Sequence, residues 1–258
     1  MPSPVRNARR ASPASRDRTR ASVRRRDEAP LATAALLQLI RLASPSLPVG
    51  GFSYSEGIES AVDAALVGDE VSARAWLLDQ LELGIARSDL PVAARALAAW
   101  RRGDREGVAE WNAWLATTRE TNELRRQSEQ MGRSLAHWLR QRSADDDDDR
   151  VAFLEALSPA PMWPVAFALA AADSGASPRT VLASFAAGWA ENATQAALKA
   201  VPLGQTAAQR ILAALAEAIP AAVDRALAMP AGEMQAFAPM LAILSSQHEE
   251  QYSRLFRS

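Results

Sequence analysis

The sequence predicts an all-α protein built as a single helical domain of about ten helices. Apolar residues recur at three- and four-residue spacing along nearly the whole chain. No stretch of useful length alternates apolar and polar residues as a strand would. Alanine is abundant, and it favours helix by up to about 1 kcal/mol per residue over glycine. With 258 residues and 48% apolar content, the chain can fill a sizeable core.

Residues 1–30 stand apart from that pattern. Residues 1–28 hold nine Arg against Asp17, Asp27 and Glu28, a net of +6; the whole chain is formally −1, so the remainder carries −7. With almost no bulky apolar residue, this stretch cannot bury enough surface to fold alone. It reads as a disordered Arg-rich tail ahead of a helical domain over 31–258. It lacks the apolar region of a secretory signal. Its composition overlaps with transit peptides and with nucleic-acid-binding arms, and a non-functional extension accounts for it equally well.

The domain opens with a helix stopped by Pro45 and Pro48, each lacking an N–H and restricting the residue before it. Residues 43–57 then form the most distinctive stretch. Gly50 and Gly51 permit unusual backbone angles, and Ser53 and Glu56 have the spacing of a capping box that restarts a helix. Leu47, Val49, Phe52 and Tyr54 put four bulky groups on this loop. Recognition of a partner and plugging of a gap in the core both fit it.

Helical stripes follow in order. Ile58, Ala61, Val62, Ala65 and Leu66 form one, with Gly68 in a C-terminal cap position. Trp76, Leu77, Leu81 and Ile85 form the next. Leu90, Leu97 and Trp100 lie behind Pro91, which suits a first helical turn. Between Thr118 and Arg142, Leu124, Met131, Leu135, Trp138 and Leu139 share a side, with Glu129 and Arg133 spaced to support the helix. The aspartates of 145–149 read as a solvated loop, with a divalent-ion trap as the functional alternative. Ala156 to Ala172 is uncharged for 17 residues but broken by Pro159, Pro161 and Pro164, too short for a membrane span. Ser177-Pro178 starts a helix through Val181, Leu182, Phe185 and Trp189. Gly204 opens another with Ala208, Ile211, Leu212, Leu215 and Ile219 on one face. Pro220, Pro230 and Pro239 are expected to cut the rest into short helices.

The side-chain inventory narrows the chemistry. There is no Cys, one lysine (Lys199) and two histidines, His137 and His248. Disulfides and thiolate metal sites are excluded, and a reducing, cytoplasmic setting is expected. No Gly-x-x-x-x-Gly-Lys-Ser/Thr exists to cradle a nucleotide phosphate. Catalysis by paired carboxylates stays open in principle, although no pair stands out. His137 reads as an ordinary surface residue. His248 is the one weak candidate metal ligand, through a site shared by two chains of a homodimer. The C-terminal segment interleaves Tyr252, Leu255 and Phe256 with Arg254 and Arg257, the residue types that dominate interface energies. It reads either as a partner-binding element or as a segment docked on its own domain.

Three stretches carry a resemblance. Ser44-Pro45-Ser46-Leu47-Pro48-Val49-Gly50-Gly51-Phe52-Ser53-Tyr54-Ser55-Glu56-Gly57-Ile58-Glu59 resembles the Ser-Pro-x-Leu-Pro-x-Gly-x-Phe-x-x-Ser-x-Gly-Leu-Glu signature of the urease accessory protein UreF family, with Ile58 in place of Leu. Trp189 to Gln209, with Trp189, Asn192, Ala196-Ala197 and Val201-Pro202-Leu203-Gly204-Gln205, agrees with the same family, as does His248 to Ser258. The resemblance implies a non-catalytic helical adaptor for nickel insertion into apo-urease. It implies a UreD/UreH-type partner, the GTPase UreG, apo-urease and a homodimer as associates, without a membrane or nucleic acid. It implies no tightly bound cofactor, nickel being handled by the complex. Pro48, Gly50, Phe52, Tyr54 and Glu59 are then the partner-binding candidates of the loop. Lys199 and Gln205 are those of the second stretch, and His248, Tyr252, Arg254, Leu255, Phe256 and Arg257 those of the third. A helical nucleic-acid-associated protein using the Arg-rich arm is the alternative.

Overall fold

A computed structural model describes residues 31–142, 148–252 and 254–257. The N-terminal segment 1–30 and Asp145 to Asp147 lie outside the described residues. The described residues form eleven α-helices and no strand. In chain order these are α1 (Thr33–Ala43), α2 (Ile58–Asp63), α3 (Glu70–Asp79), α4 (Asp89–Arg102), α5 (Arg105–Thr118), α6 (Asn122–Arg142), α7 (Asp149–Glu155), α8 (Trp163–Ala172), α9 (Pro178–Ala200), α10 (Gln205–Ala228) and α11 (Pro239–Glu249).

The uncharged run at 156–172 becomes the centre of the molecule. Its helical part, α8, is buried at every residue from Pro164 to Ala172. A helix apolar on all sides needs neighbours on all sides, and α1, α4, α6 and α9 supply them. Phe167 of α8 meets Phe185 of α9 edge-on at 5.1 Å between ring centres, and Trp100 of α4 donates its indole N–H to the Val165 carbonyl at 3.0 Å. α9 and α10 pack against each other across the short Val201–Gly204 connection, and α10 also covers α3 and α4. Among the described residues no helix is long and apolar enough to cross a membrane.

Several local expectations fail for tertiary reasons. Pro220 does not end a helix: α10 runs through it to Ala228. Pro220 lies on the exposed face, where the carbonyl it leaves unpaired can meet water, while Ile219, Ala222, Val223 and Ala226 are buried. α2 stops at Asp63, and Ala65, with φ +56, makes the reversal expected of Gly68. Asp69, not a glycine, organises the next start: it forms a capping box with Ser72. α3 runs on into a π-helical turn, Gln80–Ile85, a rarity common at functional sites. The aspartate run ends in structure rather than in loop, because Asp148 caps α7 by accepting the Arg150 N–H at 2.8 Å. Ser177 caps α9 as its Ser-Pro sequence predicts.

Candidate partner-binding site

The loop between α1 and α2 has an inward and an outward side. Leu47 and Val49 are buried. A 3-10 turn, Gly51–Ser53, then throws Phe52 into solvent at 58% exposure. Gly51 itself is pressed against α9 and α6: an added Cβ would lie 2.9 Å from Asn192 Nδ2 and 3.2 Å from Met131 Cε. Gly50, at φ +78, sets up the turn, while Pro48 is exposed.

The capping box expected of Ser53 and Glu56 does not form. α2 is entered from Gly57, at φ +79 and without a side-chain cap. Glu56 adopts φ +50 and turns its carboxylate into the protein. There it accepts from Gln127 Nε2 of α6 at 2.6 Å and from Trp189 Nε1 of α9 at 2.7 Å. Burial pushes this carboxyl above the ordinary Glu range; the Trp189 N–H opposes the rise and the charge of Asp89 adds to it. Glu56 therefore latches the loop to two helices across a cavity of about 90 Å³, lined among others by Tyr54, Ser55, Asp89 and Arg119. The polar wall is built from pairs: Arg119 Nη2 donates to Asp89 Oδ1 at 2.6 Å, and Ser88 Oγ to Asp89 Oδ2 at 2.7 Å.

The C-terminal segment closes over the outward side of the same loop. Glu59, on α2, accepts the backbone N–H groups of Leu255 at 2.6 Å and Phe256 at 3.0 Å. Arg257 N–H donates to the Ser53 carbonyl at 2.8 Å. Beneath them His248 is fully buried, its Nε2 3.2 Å from Glu59 and its Nδ1 3.0 Å from both oxygens of Glu123. Both ring nitrogens thus face carboxylate oxygens. Glu123 also accepts from Arg254 Nη1 at 3.1 Å. Lys199 Nζ sits 5.6 Å from the Phe256 ring centre and 6.0 Å from that of Phe52, joining segment and loop through cation–π contacts.

The result is a charged clamp inside and an apolar display outside. Phe256 is buried, whereas Tyr252 is fully exposed and Leu255 is 62% exposed. Phe52, Tyr54, Glu59, Lys199, His248, Arg254, Phe256 and Arg257 are drawn into one region, with Leu255 held there by its backbone. Gln205 is exposed at the start of α10. His248 is enclosed by its own chain, which places its imidazole out of reach of a second copy. Sequence reasoning missed Glu123, Gln127, Asp89 and Arg119. Glu123 and Gln127 are polar residues on a helix whose polar face is broad, and nothing in their spacing marks them as buried.

The three stretches that are far apart in sequence therefore meet in space. Gly51 touches Asn192, Glu56 binds Trp189, and Glu59 and Ser53 bind the C-terminal backbone. Known proteins match this chain along most of its length. The UreF family model matches residues 67–216. A urease accessory protein UreF of Methylibium petroleiphilum is 63% identical over 234 residues, covering 91% of this chain and 98% of that protein. Those of Polaromonas sp. and Paracidovorax citrulli are 59% and 61% identical over 230 residues, covering 89% and 88% of this chain and 97% and 91% of the relatives.

Proposed function

The chain belongs to the UreF family of urease accessory proteins, and from that premise we propose that it is a non-catalytic adaptor for nickel insertion into apo-urease. In this reading it acts as a homodimer in the cytoplasm and bridges a UreD/UreH-type protein and the GTPase UreG. It holds no cofactor tightly, and nickel passes as cargo of the assembly. The observation that carries the reading is the docking of the C-terminal segment on the signature loop. Glu59 and Ser53 fix the backbone of residues 255–257, so that Leu255 and Phe52 stand exposed beside one another's anchor points. Aromatic and Arg groups held in place are worth about 2 kcal/mol or more each where they become interface hot spots. The absence of Cys, and the single lysine, leave nucleotide and thiolate chemistry to other subunits.

Deleting residues 252–258 tests this directly. The shortened chain should lose the UreD/UreH-type protein in co-purification while its helical circular dichroism stays nearly unchanged. Full-affinity capture by the shortened chain would overturn the assignment. Turnover of a substrate by the isolated chain, or stoichiometric tight nickel binding to it, would overturn the adaptor reading.

A further inference from the structure

We propose that Glu56 is a proton-linked latch: while its carboxyl is protonated, the loop between α1 and α2 and the C-terminal segment resting on it are held against the core, and ionisation loosens both. The proposal rests on the adaptor reading for its consequence, since these are the surfaces that reading assigns to a partner. Glu56 adopts φ +50 and Gly57 φ +79, two left-handed residues in succession. Glycine takes that conformation freely, but a glutamate keeps it only where its surroundings impose it. Here the side chain does so, one oxygen accepting from Gln127 of α6 and the other from Trp189 of α9.

The enclosure around the carboxyl is poorly suited to its charge. Among the described residues, the titratable groups lining the cavity are Glu56, Tyr54 on the same loop, Asp89 at the start of α4 and Arg119 just beyond α5. Every other element contributes only neutral side chains there. Asp89 is itself buried, so a second carboxylate charge meets its repulsion. Arg119 is already engaged by Asp89, at 2.6 Å. Burial and then the charge of Asp89 accordingly push the Glu56 carboxyl above the ordinary range, against the Trp189 N–H. Protonated, Glu56 brings no charge into the enclosure and keeps acceptor capacity for its donors. Ionised, it calls for water. The cavity of about 90 Å³ has room for about three water molecules at ~30 Å³ each. Ser55 Oγ and Arg119 Nε, buried and without a hydrogen-bond partner among the described residues, give such water something to bond. Water that enters there competes with Gln127 and Trp189 for the Glu56 oxygens.

The latch lies midway between two attachments of the C-terminal segment. Ser53 and Glu59 each stand three residues from Glu56. The Ser53 carbonyl accepts the Arg257 N–H, and the Glu59 carboxylate accepts those of Leu255 and Phe256. A loop that moves off α6 and α9 therefore carries both attachments with it.

Amide hydrogen exchange of the full chain from about pH 5 to 8, expressed as protection over the intrinsic rate at each pH, tests the latch without a partner. Opening favours the ionised form, so protection should hold at the acid end and fall as pH rises. In wild type the hydrogen-bonded amides of Tyr54, Ile58, Leu255, Phe256 and Arg257 should lose about tenfold or more, while those of α8 keep theirs. Glu56→Gln should show no such fall. An equal fall in that variant would assign the effect to the His248 cluster and overturn the proposal. Trp189→Phe removes the N–H that favours the ionised form, so the fall should move to higher pH. A lowering by the same factor at every pH would mark a merely structural contact, and the proposal would be wrong. Flat protection in wild type, or a fall shared by α8, would overturn it as well. The two readings fail separately. If exchange follows expectation but the chain lacking 252–258 still captures the UreD/UreH-type protein, the adaptor assignment falls and the latch stands. If capture is lost and exchange is flat, the latch alone falls.

Discussion

Glu56 shows how a single residue can be misassigned by local pattern and then explained by its surroundings. Its spacing from Ser53 is that of a cap, but the groups that claim its carboxylate lie on α6 and α9. Its folded-state pKa is raised mainly by burial. A raised acid pKa means that the folded state favours the protonated form. This contribution to stability is fully present below the unfolded value and is lost as pH rises through the folded one. Glu56→Gln removes the titration, at the cost of setting an amide N–H₂ against one of two donors. Urea midpoints of wild type and variant, compared from about pH 4 to 8, should therefore shift in favour of Glu56→Gln as pH rises. A gap that does not change with pH would mean that the carboxyl is not desolvated. Glu59 has the opposite task, since its oxygens hold backbone N–H groups of the C-terminal segment. A hydrogen bond to a charged group contributes about 1.5–3 kcal/mol. Glu59→Gln should accordingly speed amide exchange at Leu255 and Phe256 by about tenfold or more, with little change in α8.

At the scale of elements, the sequence was legible wherever burial and propensity agreed. The Ser177-Pro178 start, the Gly204 start and the stripe on α6 all appear as their spacing predicts. Legibility failed where packing overrode a local breaker. Pro220 is the clearest case: a helix anchored by buried Ile219, Ala222, Val223 and Ala226 tolerates an interior proline on its wet face. Proline in a helix interior costs about 3 kcal/mol relative to alanine, partly offset by the smaller conformational freedom of the unfolded chain. Pro220→Ala should hence stabilise the protein by about 1–3 kcal/mol, seen as a higher urea midpoint. An unchanged or lower midpoint would mean that Pro220 is needed for α10 to follow both α3 and α9. The end of α2 failed for a similar reason. A positive-φ alanine is disfavoured in isolation, and only its surroundings hold Ala65 there.

For the whole molecule, the sequence marked three stretches that meet in space, but not what joins them. Helical periodicity reports which residues face inward, not which inward-facing polar groups will pair across the core. The Glu56–Trp189 and Glu123–His248 contacts span more than a hundred residues each. The site is consequently assembled on one core, centred on α8, but it is not equally bound to it. The C-terminal segment is held by a few hydrogen bonds and the single buried ring of Phe256, whereas α8 is enclosed throughout. Segments with few buried contacts open locally, well below the free energy of global unfolding. Phe167→Ala separates the two motions, because Phe167 packs in the core of α8 against Phe185 and Trp163. Loss of that ring should cost about 3–5 kcal/mol of global stability. Amides of α8 should then lose protection by a corresponding amount, while those of Leu255 and Phe256 keep theirs, since their exchange runs through local opening. If protection of the C-terminal amides falls in step with α8, the segment opens only when the core does. A segment so tied could not rearrange to meet a partner without unfolding the protein that presents it.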